Sequence, residues 1–261
     1  MKRIVITGIR GGVGATTVAA NLTMAVHSID QQAHAIDMNP ANLMRLHFCM
    51  DPNNTDGWAI RKLKGETWQQ AGYQNRRHIS FVPYGLVDDD QHQKVMADFQ
   101  QHPSALAERF AFGASASELE KHWQIMLLPD ISSLNECHYS LLKEADLVVC
   151  VMRTDIQSYL SLQQNRHYHK LLKACQPKLL INGFQPASPI SRDMQLVFQN
   201  EYERNLIPVL MHDDTAVVEA VANLSSVLEE APYSQAAQDY HSLAFWCLSH
   251  LNQAKSVISD V

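Results

Sequence analysis

The segment Gly8-Ile9-Arg10-Gly11-Gly12-Val13-Gly14-Ala15-Thr16-Thr17 gathers the residue types needed to hold a phosphate. A phosphate is gripped by a concave ring of backbone N–H donors, and side chains obstruct its approach. Glycines at 11, 12 and 14 remove that obstruction, with Val13 between them. A helix predicted from Ala15 turns the positive end of its dipole toward the same point. Thr16, followed by Thr17, stands where a Walker A loop places the hydroxyl that ligates Mg2+. A tight turn between strand and helix would use the same glycines. The ordered succession of strand, loop, hydroxyls and helix favours phosphate binding.

The strict Walker A pattern is not met. Ile9 occupies its first glycine position and Ala15 its lysine position. Losing that lysine's charge-assisted hydrogen bond costs about 1.5–3 kcal/mol, or one to two decades of affinity. The backbone donors and a metal would remain. Arg10 carries a guanidinium fork suited to phosphate oxygens and is a candidate to replace part of the loss; its other reading is a solvated loop arginine.

Mg2+ takes hard oxygens and keeps several waters. Besides Thr16, the candidates are Asp37, at the end of a predicted strand, and Asp130, just after another. The ends of parallel strands converge on the crevice that holds the phosphate loop. Asp37 could equally cap the turn before Asn39-Pro40.

These residues need elements to position them. Arg3–Thr7 is a short β-branched run and reads as a buried strand; Ala15–Ser28 lacks proline and glycine and reads as a helix; Ala33–Asp37 reads as a second strand. Together they form a βαβ unit with a right-handed crossover. Further strands are predicted at Ile79–Pro83, Gln124–Leu128, Leu147–Met152, Leu179–Asn182 and Ile207–Met211, several as continuous apolar runs covered on both faces. Helices are predicted over Ala105–Lys121 and Tyr233–Leu251. The expectation is an α/β fold: one doubly wound, mostly parallel sheet flanked by helices, spanning residues 1–261. Polar excursions near 51–78 and 86–120 would cover an edge or carry a partner surface.

Composition narrows the function classes. The 261 residues are 46% hydrophobic and 18% charged, which excludes extended disorder as the main state. A net charge of −6 argues against a generally basic nucleic-acid surface. No apolar run is long enough for a transmembrane helix, and the start resembles no signal peptide, so the expected location is cytoplasmic. The five scattered cysteines form no CxxC pair, and none of the thirteen histidines falls in an HExxH pattern.

Arg10-Gly11-Gly12-Val13-Gly14-Ala15-Thr16-Thr17 resembles the deviant Walker A motif KGGVGKTT of the MinD/ParA group of P-loop ATPases. Within that group the chain is most similar to the cellulose-biosynthesis family BcsQ, whose loop also reads RGGVG. The likeness continues through Asn42-Leu43-Met44-Arg45-Leu46, Gly57-Trp58-Ala59, Ile181-Asn182-Gly183-Phe184, Pro208-Val209-Leu210-Met211-His212 and Ala244-Phe245-Trp246-Cys247-Leu248. The resemblance implies a P-loop fold and ATP with Mg2+ as cofactors. It also implies an ATP-sandwich homodimer, in which Arg10 stands where the group's partner-crossing lysine stands. Asn182 matches the adenine-reading asparagine, although an asparagine capping a strand end would look the same, and His212 falls in the base region. Asp130 matches a Walker B aspartate, in the order Pro129-Asp130 rather than the usual D-x-P.

The group's D-x-D switch reads Asp37-Met38-Asn39 here, so Asn39 takes the water-positioning place and cannot accept a proton. With Ala15 and Asn39 both substituted, ATP is expected to be bound stably and hydrolysed slowly or not at all. No residue is assigned as catalytic. The resemblance implies partners in BcsR, BcsE and the inner-membrane cellulose synthase complex, through which the chain would be recruited to the membrane. Ser242–Val261 lacks the basic amphipathic tail with which MinD lies on a bilayer. The alternative is an active ParA/MinD-type ATPase that positions DNA or another cargo. Cys137 follows Asp130 where the iron-protein branch carries a cluster ligand, but no second cysteine is suitably placed.

Overall fold

Strand β1 (Lys2–Gly8) owes its place to Ile4, Val5 and Ile6, all essentially without solvent exposure. A strand apolar on both sides must lie inside a sheet. In the computed structural model, which describes residues 1–101 and 122–259, β1 lies between β5 (His122–Leu127) and β6 (Leu147–Met152), parallel to both. The remaining strands are β2 (Gln32–Asp37), β3 (Tyr73–Gln74), β4 (Ser80–Val82), β7 (Lys178–Phe184) and β8 (Leu206–His212). The eight run in the order β3-β4-β2-β5-β1-β6-β7-β8, and only the β3–β4 pair is antiparallel.

Helix α1 (Ala15–Ser28) crosses from β1 to β2 and buries Val18 through Val26. It packs against the helix that ends the chain, α10 (Gln235–Ser259), and against α9 (Val227–Glu230). A second group packs together: α2 (Trp58–Leu63), α3 (Asp89–Gln101), α4 (Glu136–Lys143) and α6 (Arg166–Cys175). Helices α5 (Ile156–Gln164), α7 (Pro189–Tyr202) and α8 (Thr215–Ala222) are the remaining α-helices among the described residues.

The predicted strands all form, with ends shifted by at most two residues. The terminal helix starts at Gln235, two residues after its predicted start. The helix predicted over Ala105–Lys121 lies outside the described residues. The excursion at 51–78 contributes α2 and β3, and β3 extends the sheet edge beyond β4. The excursion from 86 contributes α3, which buries Val95, Met96 and Phe99. Trp58 and Phe81 anchor these additions: Trp58 meets Tyr84 edge-on at 4.7 Å, and Phe81 stacks on Phe48 at 4.5 Å. Each such ring, fully buried, contributes about 1.5–3 kcal/mol.

Candidate functional site

The parallel strands β1, β2, β5, β6, β7 and β8 all point their carboxyl ends at one rim of the sheet, and the glycine loop sits there. Ile9 N–H donates to the Val151 carbonyl at 2.9 Å, which carries the β1–β6 pairing one residue past β1. The loop then turns through Gly12 (φ +77°) and Gly14 (φ +89°), left-handed conformations that favour glycine. Gly14 is the N-cap of α1, and no acidic residue lies in the helix's first turn to oppose an anion.

Two cavities open on either side of this loop. One, of about 300 Å³, is lined by the loop together with Thr16, Asn39, Leu43 and Asp130. The other, of about 160 Å³, shares Gly12 and Gly14 with the first and extends past Thr17 to Asn182, Arg153, His212 and Tyr240. The two cavities, which share Gly12 and Gly14, together make a trough around the loop, and larger side chains wall the second half of it.

On the first side, Asp130 and Thr16 face the same space. Thr7 Oγ1 donates to the Pro129 carbonyl at 2.6 Å, fixing the loop that carries Asp130 against β1. Asp130 caps the turn at Ile131–Ser133, accepting from Ser132 N–H at 3.0 Å. Asp37 behaves differently. It is fully buried and is not part of the cavity wall. Its carboxylate accepts from Asn39 N–H at 2.9 Å and Met44 N–H at 3.3 Å, pinning both ends of the loop that presents Asn39 and Leu43. Burial pushes its carboxyl up to about 7, and the two N–H donors counter only part of that. Trp58 Nε1 donates to the Asp37 carbonyl at 2.8 Å, and Tyr84 N–H donates to Asn42 Oδ1 at 3.1 Å. Of the two readings of Asp37, turn cap and Mg2+ ligand, these hydrogen bonds are those of the first, and the second would require the buried carboxylate to reach the cavity.

On the second side, Asn182 Nδ2 donates to the Val13 carbonyl at 2.8 Å. A carbonyl oxygen only accepts, so the orientation of this amide is unambiguous and its Oδ1 is the atom left to act as an acceptor. His212 is held through its backbone N–H and Nδ1, both bonded to Asp239 Oδ2 at 2.8 and 2.9 Å. Asp214 caps α8 through Ala216 N–H and also accepts from Ala236 N–H, so β8 and α10 are stitched together at the cavity wall.

Residues 1–248 match the model of a family described as Cellulose biosynthesis protein BcsQ. The chain belongs to the BcsQ family. The family's protein from Escherichia coli K12 is 26% identical over 254 residues, covering 97% of this chain and 96% of that one. Among solved structures, MinD of Pyrococcus furiosus, a cell division ATPase, superposes with a TM-score of 0.68 at 19% identity, over 95% of this chain and 98% of its own. Cobyrinic acid a,c-diamide synthase of Mycobacterium smegmatis, solved with an ATP analogue and magnesium, gives 0.70 at 16% identity over 97% of both chains. At such identities the two structures establish a shared P-loop ATPase fold.

In this BcsQ-family chain Arg10 does not stand free at the loop. Its Nη2 reaches Asp155 at 2.5 Å and its Nη1 donates to the Gly11 carbonyl at 3.0 Å. Asp155 is the N-cap of α5 and accepts from Ser158 N–H at 2.7 Å. Burial works against its charge, but Ser158 and the Arg10 guanidinium more than offset that and hold its carboxyl below the usual range. Among the described residues no three His, Cys, Asp or Glu side chains converge on one point. A cation beside Thr16 and Asp130 would therefore take most of its shell from phosphate oxygens and water, as Mg2+ does in nucleotide sites.

Sequence reasoning gave Trp58 only as part of the family likeness, with no role, and passed over Arg153, Asp155 and Asp239. Asp155 carried a usable signal, an Asp three residues before Ser158 at the start of a helical run. The other three show their roles only once distant strands are brought together.

Proposed function

We propose that this chain is an ATP- and Mg2+-binding assembly protein of the bacterial cellulose synthesis and secretion machinery, acting as a nucleotide-held homodimer with weak or no hydrolysis. The single observation behind the reading is the divided trough around a glycine loop whose Gly12 and Gly14 are left-handed and whose Walker A lysine position holds Ala15. Gly12 and Gly14 in left-handed conformation, with α1 behind them, offer N–H donors to the β- and γ-phosphates. Thr16 and Asp130 would hold Mg2+ against those phosphates, with Asp37 behind them fixing the switch loop. When bound, the ion neutralises phosphate charge.

The base half of the trough suits adenine. Asn182 presents an acceptor, which pairs with the exocyclic amino group of adenine and is repelled by the carbonyl of guanine. On the phosphate side, Asn39 lines the cavity, and its Oδ1 accepts from Ala41 N–H at 3.0 Å. An amide can orient a water there but cannot take its proton. Ala15 supplies no charge to the transition state. Both features point away from rapid turnover.

Homodimerisation would place a second copy over the rim, with Arg10 leaving Asp155 to reach it. Residues 1–261 would act as one unit, and BcsR, BcsE and the inner-membrane synthase complex are the partners that family membership suggests. Among the described residues no helix is long and apolar enough to cross a membrane, so contact with the membrane would be made through those partners.

The test is the nucleotide content of the purified chain, combined with calorimetric titration of ATP·Mg2+ and light scattering. One intact ATP per chain in a dimer, with phosphate release slower than one turnover per minute, is the expected result. Monomers with no affinity for ATP would overturn the reading. Rapid turnover would favour the cargo-positioning ATPase instead.

A further inference from the structure

Arg153 follows β6 and lines the base half of the trough. Its guanidinium lies directly on the peptide of Gly183, at the end of β7. A Cβ built on Gly183 would come within 2.6 Å of Arg153 Cζ and Nη2, and Gly183 itself has φ +69°. Glycine is thus required at 183 on two counts, and what the absent side chain makes room for is an arginine plane. Asp213 steadies that plane from 3.8 Å, and Gln185 Nε2 donates to the same Asp213 carboxylate. The arginine side chain is about one-third exposed (33%), so it is packed on one side and open on the other.

We propose that Arg153 is the platform on which the nucleobase stacks. The inference rests on the nucleotide-binding reading above and adds to it the residue that contacts the base. A guanidinium is planar, weakly hydrated and always charged, and it stacks on aromatic faces. Val217 and Tyr240 contribute other parts of the same wall. Stacking is indifferent to the pattern of the base edge, so Arg153 supplies affinity while Asn182 supplies selection. Gly12 and Gly14 border both cavities, so the experiment has to tell a contact with the base from a contact with the phosphates.

The test separates base from phosphate. ATP·Mg2+ and tripolyphosphate·Mg2+, which has no base, are titrated by calorimetry into the full chain and into Arg153→Ala. ATP is expected to weaken by about 3- to 30-fold in the variant while tripolyphosphate is unchanged. Arg153→Lys keeps the charge without the plane and is expected to lose at least half of that effect's logarithm; it also serves if the alanine variant does not fold. ATP affinity within twofold of wild type in the folded variant overturns the proposal, as does a parallel loss for both ligands. Wild-type protein that binds neither ligand would refute the nucleotide site itself, an outcome visible before any variant is made.

Discussion

Asn182 Nδ2 donates to the Val13 carbonyl at 2.8 Å, and a Cβ on the neighbouring Gly14 would come within 2.2 Å of that same nitrogen. Strand β7 thereby grips the phosphate loop from the side. Asn182→Ala removes one hydrogen bond and leaves the loop less ordered. An expected outcome is a two- to tenfold loss of ATP affinity, about 0.5–1.5 kcal/mol, with the fold intact by circular dichroism. Gly14→Ala meets both the contact and the left-handed φ, and is expected to abolish binding. An alanine at 14 that bound ATP like wild type would show that β7 and the loop are not coupled.

Ala15 and Asn39 sit on the same cavity as Thr16 and Asp130. Ala15→Lys restores a cation to the phosphate path, and ATP·Mg2+ affinity is expected to rise by about one to two decades. Adding Asn39→Asp supplies a group able to accept a proton. Phosphate release is expected to increase in the double variant beyond the effect of either change alone. Unchanged release in the double variant would mean that these two positions do not set the rate.

The Arg10–Asp155 pair holds in place the side chain that the proposed homodimer would extend to a second copy. Asp155→Asn preserves the helix cap, since asparagine caps as well as aspartate, but gives up the charge. Arg10 is then freed at little cost to stability. Dimer formation is expected at a lower ATP concentration than in wild type, read by sedimentation velocity, whereas Arg10→Ala should raise the concentration required. If Asp155→Asn and wild type assemble alike, the ion pair does not restrain the arginine.

The sheet was legible because its strands are continuous apolar runs, such as Leu147–Met152, in which all six residues are buried. The glycine loop was legible because phosphate chemistry demands small residues at fixed spacing. Strand β3 was missed because two residues cannot show a period, and α3 because its sequence is mostly polar outside Val95, Met96 and Phe99. Asp37 was placed correctly at a strand end, yet nothing local could show its burial, which depends on Trp58 and Tyr84, 21 and 47 positions away. Arg153 was invisible for the same reason, since its partner Gly183 lies on the next strand of the sheet.

Three buried histidines set a pH dependence. Burial, first of all, lowers His34 to about 3 and His47 and His138 to about 4; nearby His122 and His92 add to the effect at His34 and His138. His138 Nδ1 accepts from Asn135 N–H at 3.2 Å, a bond that protonation would break. Below pH 6.5 the unfolded chain binds a proton at each histidine and the folded chain does not, so stability falls with acidification. Asp37, raised to about 7, acts in the opposite sense, as one group against three. The net slope between roughly pH 6 and pH 4.5 is about 3 kcal/mol per pH unit. Tm is expected to be lower at pH 5 than at pH 7.5 by roughly 6–14 °C, a size taken from about 2–4 °C per kcal/mol. An equal Tm at the two values would show that these rings are hydrated.

Trp58 links the excursion after β2 to the switch loop, because its Nε1–H bonds the carbonyl of the residue whose side chain pins Asn39 and Met44. Trp58→Phe keeps most of the ring in the pocket shared with Tyr84 and Phe99 and deletes this donor. A buried acceptor deprived of such a donor costs about 1–3 kcal/mol. The loop that carries Asn39 and Leu43 into the phosphate cavity should loosen with it. The expected result is a lowered denaturation midpoint together with weaker ATP binding, each absent in Trp68→Phe, a control at a partly exposed position. Weaker ATP binding that persists under conditions where both variants are fully folded would locate the effect in the loop. Loss of stability with ATP affinity unchanged would confine Trp58 to packing and break the link from excursion to switch.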